Sequence, residues 1–398
     1  MPPKFTLLPT ELLDAVASHL PILDLLALCR TNRGLYHICL RWIYRSVSPS
    51  TVACTVRVLK TLISNIPAAA HMRVLVIVIP LEGVLKSFKR LLSTALANLT
   101  SLESFNYASS PTLCAAFTHI RFPRLQDCLI TLCPDAIIFL RLHPTLVRLG
   151  VVSDWPSDIA PYLGLSDLSL PALRDFSGPA STLPLILPNS PVEIMTISWD
   201  PNPHEAYPAV FAAIAAAREP SRIVHMHNFV YTTWDPALLL AIAEHLPHLT
   251  VLRVFYANIP GMPPDAGEIE AFYDILKITI LDLPNLKTLS CTARGNPSPT
   301  TADLALEIRM LGEWGCRSAL LRNCTLPSDT MWVRKADNFW YPYAPNMDPV
   351  ESLWRLRWLV EAAVRTPAEY PGYAAQMEQV VGNPQWTEMV EALNAEAP

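Results

Sequence analysis

One short pattern constrains this chain more than any other feature. It is an apolar residue, two others, a second apolar residue, one other, and a third apolar residue. It occurs at Leu102/Phe105/Tyr107, Leu125/Cys128/Ile130, Leu146/Leu149/Val151, Val192/Met195/Ile197, Leu249/Leu252/Val254, Leu286/Leu289/Cys291 and Leu321/Cys324/Leu326. Leu173/Phe176 is a further clear case, weaker copies stand at Val74/Ile77/Ile79 and Ile223/Met226, and successive units lie about 20 to 37 residues apart. The last four positions alternate with the period of a strand, apolar residues inward. The intervening segments return on the outside, and Ala209–Ala217 and Ala237–Leu246 read as helices. Prolines beside leucines, as in LPAL, LPHL and LPNL, punctuate the units. Each unit has one apolar face that only its neighbours can cover. The expectation is therefore an α/β chain whose units stack into a curved solenoid, with about nine or ten parallel strands on the concave side.

Composition supports a folded chain. Of 398 residues, 51% are hydrophobic and 16% charged, enough to bury a large core and too apolar for general disorder. The net charge of −5 offers no global basic field, which argues against a nucleic-acid partner. Charge is unevenly spread: residues 1–60 hold seven Lys/Arg against three Asp/Glu, and residues 348–398 hold three Arg against eight Asp/Glu. Nine cysteines without a CxxC read as reduced, buried thiols of a cytoplasmic or nuclear protein. No apolar run reaches the roughly 20 residues of a membrane span, and the N-terminus lacks a signal-peptide core, so no membrane partner is expected.

Residues 5–47 read as three short helices. Thr10 is placed as the cap of the first, which carries Leu12, Leu13, Val16 and Leu20 and stops at Pro21. Asp24 is placed as the cap of a second helix with Leu25, Leu26, Leu28 and Cys29. Thr31 is placed as the cap of a third with Leu35, Ile38, Trp42 and Ile43. Three helices this short cannot bury all these leucines among themselves. The order of features resembles an F-box of the type common in fungal proteins: Leu8-Pro9, Glu11, the apolar helix, the Asp24-Leu25-Leu26 step, and the hydrophobic close Ile43–Val47. A Trp found after the Cys-basic step in many F-boxes is replaced here by Asn32 and Arg33.

The resemblance covers about a tenth of the chain and implies a module that binds a Skp adaptor, and through it cullin and RING protein. Leu8, Pro9, Leu12, Leu13, Val16, Leu20, Leu25 and Leu26 are the residues assigned to that surface or its immediate support. The alternative is that the helices only cap the following domain. The downstream units resemble a degenerate form of the leucine-rich repeats often joined to F-boxes. The implied function is substrate recognition in an SCF-type ubiquitin ligase, with no catalysis in this chain. The rival is a non-catalytic repeat scaffold.

On such strands the residues between the inward ones face the concave surface. Asn106, Asp127, Arg148, Asp175, Thr196, His225, His227 and Arg253 are the candidate contacts for an unidentified protein substrate, with Ser104, Thr288 and Ser290 in the same rows. The expected division is 1–47 for the helical module, 48–330 for the repeats, and 331–398 for an aromatic segment and capping helices. In the last part Trp332, Phe339, Trp340, Tyr341 and Tyr343 read as a cap over the final repeat, the alternative being a partner-binding aromatic cluster. One helix is expected from Asp348-Pro349, with Leu353, Leu356, Val360 and Val364 as its stripe, and another from Asn383-Pro384.

No catalytic motif is present: the chain contains no GxxxxGK[ST], GxSxG or HExxH. His225-x-His227 offers two imidazoles on one strand face without a third ligand at a recognisable spacing, so neither metal nor cofactor is expected. An enzyme with an unrecognised site would instead show a deep pocket with convergent His, Asp and Ser groups.

Overall fold

The computed structural model describes residues 8–78, 86–152, 168–199, 203–231, 236–257, 266–293, 300–335, 339–343 and 349–381. The chain divides into two compact units, residues 1–192 with 216–218 and residues 193–215 with 219–398. Among the described residues there are thirteen strands, mostly parallel, with helices between most of them.

The first unit opens with α1 (Thr10–Ser18), α2 (Ile22–Cys29) and α3 (Arg33–Ile43), which leads into the two-residue strand β1 (Ser46–Val47). The capping differs from the sequence reading. Pro9 and Pro21 occupy the N-cap positions of α1 and α2 without side-chain caps, so Thr10 and Asp24 lie inside the first turns. Proline needs no hydrogen bond there, since the first N–H groups of a helix are unpaired anyway. Asn32, not Thr31, caps α3 through the Gly34 N–H.

Helices α4 (Val52–Ser64) and α5 (Ile66–Ala70) lead to β2 (Val74–Ile77). Then come α6 (Lys86–Leu96), β3 (Ser104–Tyr107), β4 (Asp127–Thr131), α7 (Pro134–Arg141), β5 (Arg148–Val152), β6 (Asp175–Pro179) and α8 (Leu183–Ile186). Strands β1 to β6 pair in parallel, each with the next in sequence. Register aligns the middle apolar residues Phe105, Cys128, Leu149 and Phe176 in one buried row with Leu75, so the first copy of the pattern is Met72/Leu75/Ile77, two residues earlier than the expected Val74/Ile77/Ile79. Behind it Phe105, Tyr107, Phe117, Phe122 and Phe139 pack mainly edge to face, 5.1 to 6.1 Å between ring centroids.

The second unit runs β7 (Ile194–Ser198), α9 (Pro203–Ala215), β8 (His225–Val230), α10 (Pro236–His245), β9 (Val251–Tyr256), α11 (Ala266–Asp282), β10 (Thr288–Ala293), α12 (Thr301–Arg317) and β11 (Asn323–Thr325). The helices expected at Ala209–Ala217 and Ala237–Leu246 are present, the first shifted to begin at Pro203. Strands β7 to β11 are parallel, and Met195, Met226, Leu252, Leu289 and Cys324 form the buried row. Ten expected units thus became strands, and β1 was the one parallel strand not anticipated.

The aromatic segment covers the last repeat strand as two further strands, with Trp332, Phe339 and Trp340 buried. It forms β12 (Met331–Arg334) and β13 (Trp340–Tyr343), which extend the sheet antiparallel beyond β11. A tight reversal needs no crossover helix, and the turn at Asp329 takes a positive φ of 58°. Then follow α13 (Pro349–Arg365) and α14 (Tyr373–Val381), the latter not expected. Of the expected stripe of α13, Val360 is buried, Leu356 and Val364 are half-buried and the Leu353 side chain lies outside the described residues; Arg355, Leu359 and Ala363 are buried as well. Asp348 and the Asn383-Pro384 helix lie outside the described residues.

Candidate functional site

The three N-terminal helices close a small core of Leu13, Ala17, Leu25, Leu35, Ile38 and Cys39, flanked by Leu20, Leu28, Cys29, Trp42 and Ile43. Asp14 ties α1 to α3: its Oδ1 accepts from Arg41 Nη2 at 2.8 Å and from Trp42 Nε1 at 2.9 Å. With that core closed, a second set of aliphatic side chains is left outside. Leu8, Leu12, Val16 and Leu26 are exposed, Leu12 by 53%. Pro9 is exposed as well. The sequence-derived surface therefore divides: Leu13 and Leu25 are core residues, 9% and 5% exposed, and Leu20 packs against them. They support the surface rather than forming it.

Two residues of this surface escaped the sequence reading. Ile22 and Leu23 are exposed, Leu23 by 75%. The signal was Pro21, which starts α2 three residues earlier than a cap at Asp24 implied and places Ile22 and Leu26 one helical turn apart. A buried Leu or Ile is worth roughly 1.5–3 kcal/mol over an exposed one, so an aliphatic set left in water is unfavourable until something covers it.

The strands carry the second candidate surface. In the first unit register puts Ser104, Asp127, Arg148 and Asp175 in one row across β3 to β6. Arg148 makes a two-pronged ion pair with Asp127, its Nη2 donating to Oδ2 at 2.6 Å. Burial raises the Asp175 carboxyl above its ordinary value; Arg148 opposes the rise and Asp127 adds to it. Asn106 lies one row further along, beside Leu129. In the second unit Thr196, His227, Arg253 and Ser290 share one row, and His225 and Thr288 share the row before it. Burial holds His227 below the usual imidazole range, with Arg253 and His225 adding to the effect. The alternation predicted from sequence thus sets these side chains on the half-buried or exposed side of their strands.

Among the described residues, two cavities border the N-terminal helices. One, of about 240 Å³, is lined by Asp14, Arg41, Trp42, Arg45, Ala70, His71, Arg73 and Ser101. The other, about 520 Å³, borders Leu8, Leu13, Leu35, Ile38, Arg41 and His71. The first holds an Asp, a His and a Ser, but no hydrogen bond joins Asp14 to His71 or His71 to Ser101 among the described residues. Among the described residues no three His, Cys, Asp or Glu side chains gather as a metal site, and no helix is long and apolar enough to cross a membrane. Six of the nine cysteines are buried; Cys29 and Cys54 are half-buried and Cys316 is exposed, contrary to the expectation of burial. Neither a family model nor a curated protein matches the chain.

Proposed function

We propose that this chain is a substrate-recruiting subunit of an SCF-type ubiquitin ligase, working in the cytoplasm or nucleus. In this reading α1 to α3 are an F-box that binds the Skp adaptor, and through it cullin and RING protein. The strands are a degenerate leucine-rich-repeat array whose open faces bind a target protein. The observation that carries the reading is the aliphatic set Leu8, Leu12, Val16, Ile22, Leu23 and Leu26, left exposed on helices whose own core is already closed. The chain itself does no chemistry. It holds a target beside the conjugating enzyme and raises its effective concentration there.

One observation favours the rival scaffold role. Helix α3 leads through Arg45 into β1, which pairs with β2, so the helices also stand at the start of the sheet. Adaptor binding separates the two readings. Purified adaptor should be retained by the full chain and lost on Leu12→Asp with Val16→Asp, two exposed positions whose change leaves the module core intact. Retention by the double variant, or none by the parent chain, rejects the ligase reading.

A further inference from the structure

The 240 Å³ cavity gathers more positive charge than its own residues neutralise. Arg41, Arg45 and Arg73 line it beside Asp14, in a chain whose net charge is −5. Both carboxylates nearby are engaged. Asp14 Oδ1 already accepts from Arg41 and Trp42, and Glu103 Oε1 accepts from Arg73 Nη1 at 2.8 Å. Arg45 has no ion pair among the described residues; its guanidinium lies 4.8 Å over the Trp42 ring.

Topology forces these cations together. Arg45 precedes β1 and Arg73 precedes β2, and the Arg45 carbonyl accepts the N–H groups of both Arg73 and Val74 at 2.9 Å. Paired strands run about 4.8 Å apart, so the two arginines start from adjacent backbone positions. Arg41 lies in the last turn of α3 and Arg45 just past its C-cap Tyr44, so both cations come from one short segment. His71 on the cavity wall is held below its usual range, first by burial and then by Arg41. A concave site concentrates such a field, and guanidinium forks suit the oxygens of a phosphoryl group.

We infer that this cavity, at the start of the sheet beneath α1 and α3, binds a compact phosphoryl-bearing anion. The volume lies below the roughly 300–1,000 Å³ of pockets for larger organic ligands, which selects a small, highly charged species. Arg45 and the remaining donors of Arg73 are its ligands, and Ser101 supplies a neutral donor. The site does not depend on the ligase reading.

The test uses the full chain, with inorganic pyrophosphate as the probe in isothermal titration and thermal-shift measurements at low ionic strength. Saturable binding and a raised Tm are expected, with no effect of acetate at matched ionic strength. Arg45→Gln, which removes no ion pair, should weaken binding at least tenfold, and Arg73→Ala should do the same. Arg148→Ala, outside the cavity, should leave it unchanged. Circular dichroism checks that each variant is folded. Absence of saturable binding, equal binding of acetate, or undiminished affinity in folded Arg45→Gln overturns the inference.

Discussion

Glu307 Oε2 accepts a hydrogen bond from Trp332 Nε1 at 2.8 Å, joining α12 to the antiparallel hairpin inside the second unit. Ser328 Oγ donates to the same oxygen at 2.7 Å, while Ser328 N and Tyr273 Oη donate to Oε1 at 3.0 and 3.1 Å. The carboxylate is fully buried, and burial pushes its pKa up against the pull of these four donors. A buried acid survives only when its lone pairs are filled, and here each oxygen has two donors.

Glu307→Ala strands those donors in a dry interior. A loss of about 3–5 kcal/mol is expected in urea unfolding, and about 2 kcal/mol for Glu307→Gln, whose amide turns a donor toward donors. A change under about 1 kcal/mol for Glu307→Ala would show that the network does not hold the hairpin.

Leu25 and Leu12 lie on the same module with opposite surroundings, 5% and 53% exposed. Leu25→Ala should cost about 2–5 kcal/mol of module stability, because a cavity replaces the side chain. Leu12→Ala should stay within about 0.5 kcal/mol. Hydrogen exchange of the α1–α3 amides reads both, and equal loss at the two positions would contradict the division between core and surface.

Gly150 on β5 lies beside Leu129 on β4, and a Cβ added at Gly150 would stand 2.5 Å from Leu129 Cδ1. The clash is with the far end of a flexible side chain. Gly150→Ala should therefore cost little, and Gly150→Val about 1–3 kcal/mol. Combining Gly150→Val with Leu129→Ala should recover much of that loss, and a purely additive double variant would refute the steric account.

His143 is buried and neutral in the fold. Its Nε2 accepts from Phe122 N at 2.9 Å, so Nδ1 carries the proton and donates to the Phe139 carbonyl at 2.8 Å. Burial lowers its pKa from the usual 6.5, Arg121 adds to the lowering, and the Phe139 bond opposes it. The unfolded chain then takes up the proton more readily than the folded one. Stability is complete above the unfolded value and falls as pH drops through the depressed folded value. Denaturation midpoints of the parent chain should fall between about pH 7.5 and 5.5 by more than those of His143→Phe. An identical fall in both would assign the acid sensitivity elsewhere.

Much of this architecture was legible in local pattern. Leu102/Phe105/Tyr107 and its copies alternate because a strand buries every second residue, so ten strand positions could be read from one-dimensional spacing. The same alternation placed Asp127, Arg148, His227 and Arg253 on the opposite side of their strands. The exposed leucines were only half legible. Leu12 and Leu13 are adjacent and equally apolar, and only the packing of α1 against α3 decides which of them meets water.

What the sequence by itself determined is the succession of strands and helices and the apolar side of each, because those follow from periods of two and 3.6 residues within a short stretch. Tertiary structure alone decided that β12 and β13 turn antiparallel and that Glu307 finds four donors. It alone set Arg41, Arg45 and Arg73 around one cavity. Those outcomes depend on segments tens of residues apart meeting in space. A charge or hydroxyl carries no mark in the sequence of the partner it will meet.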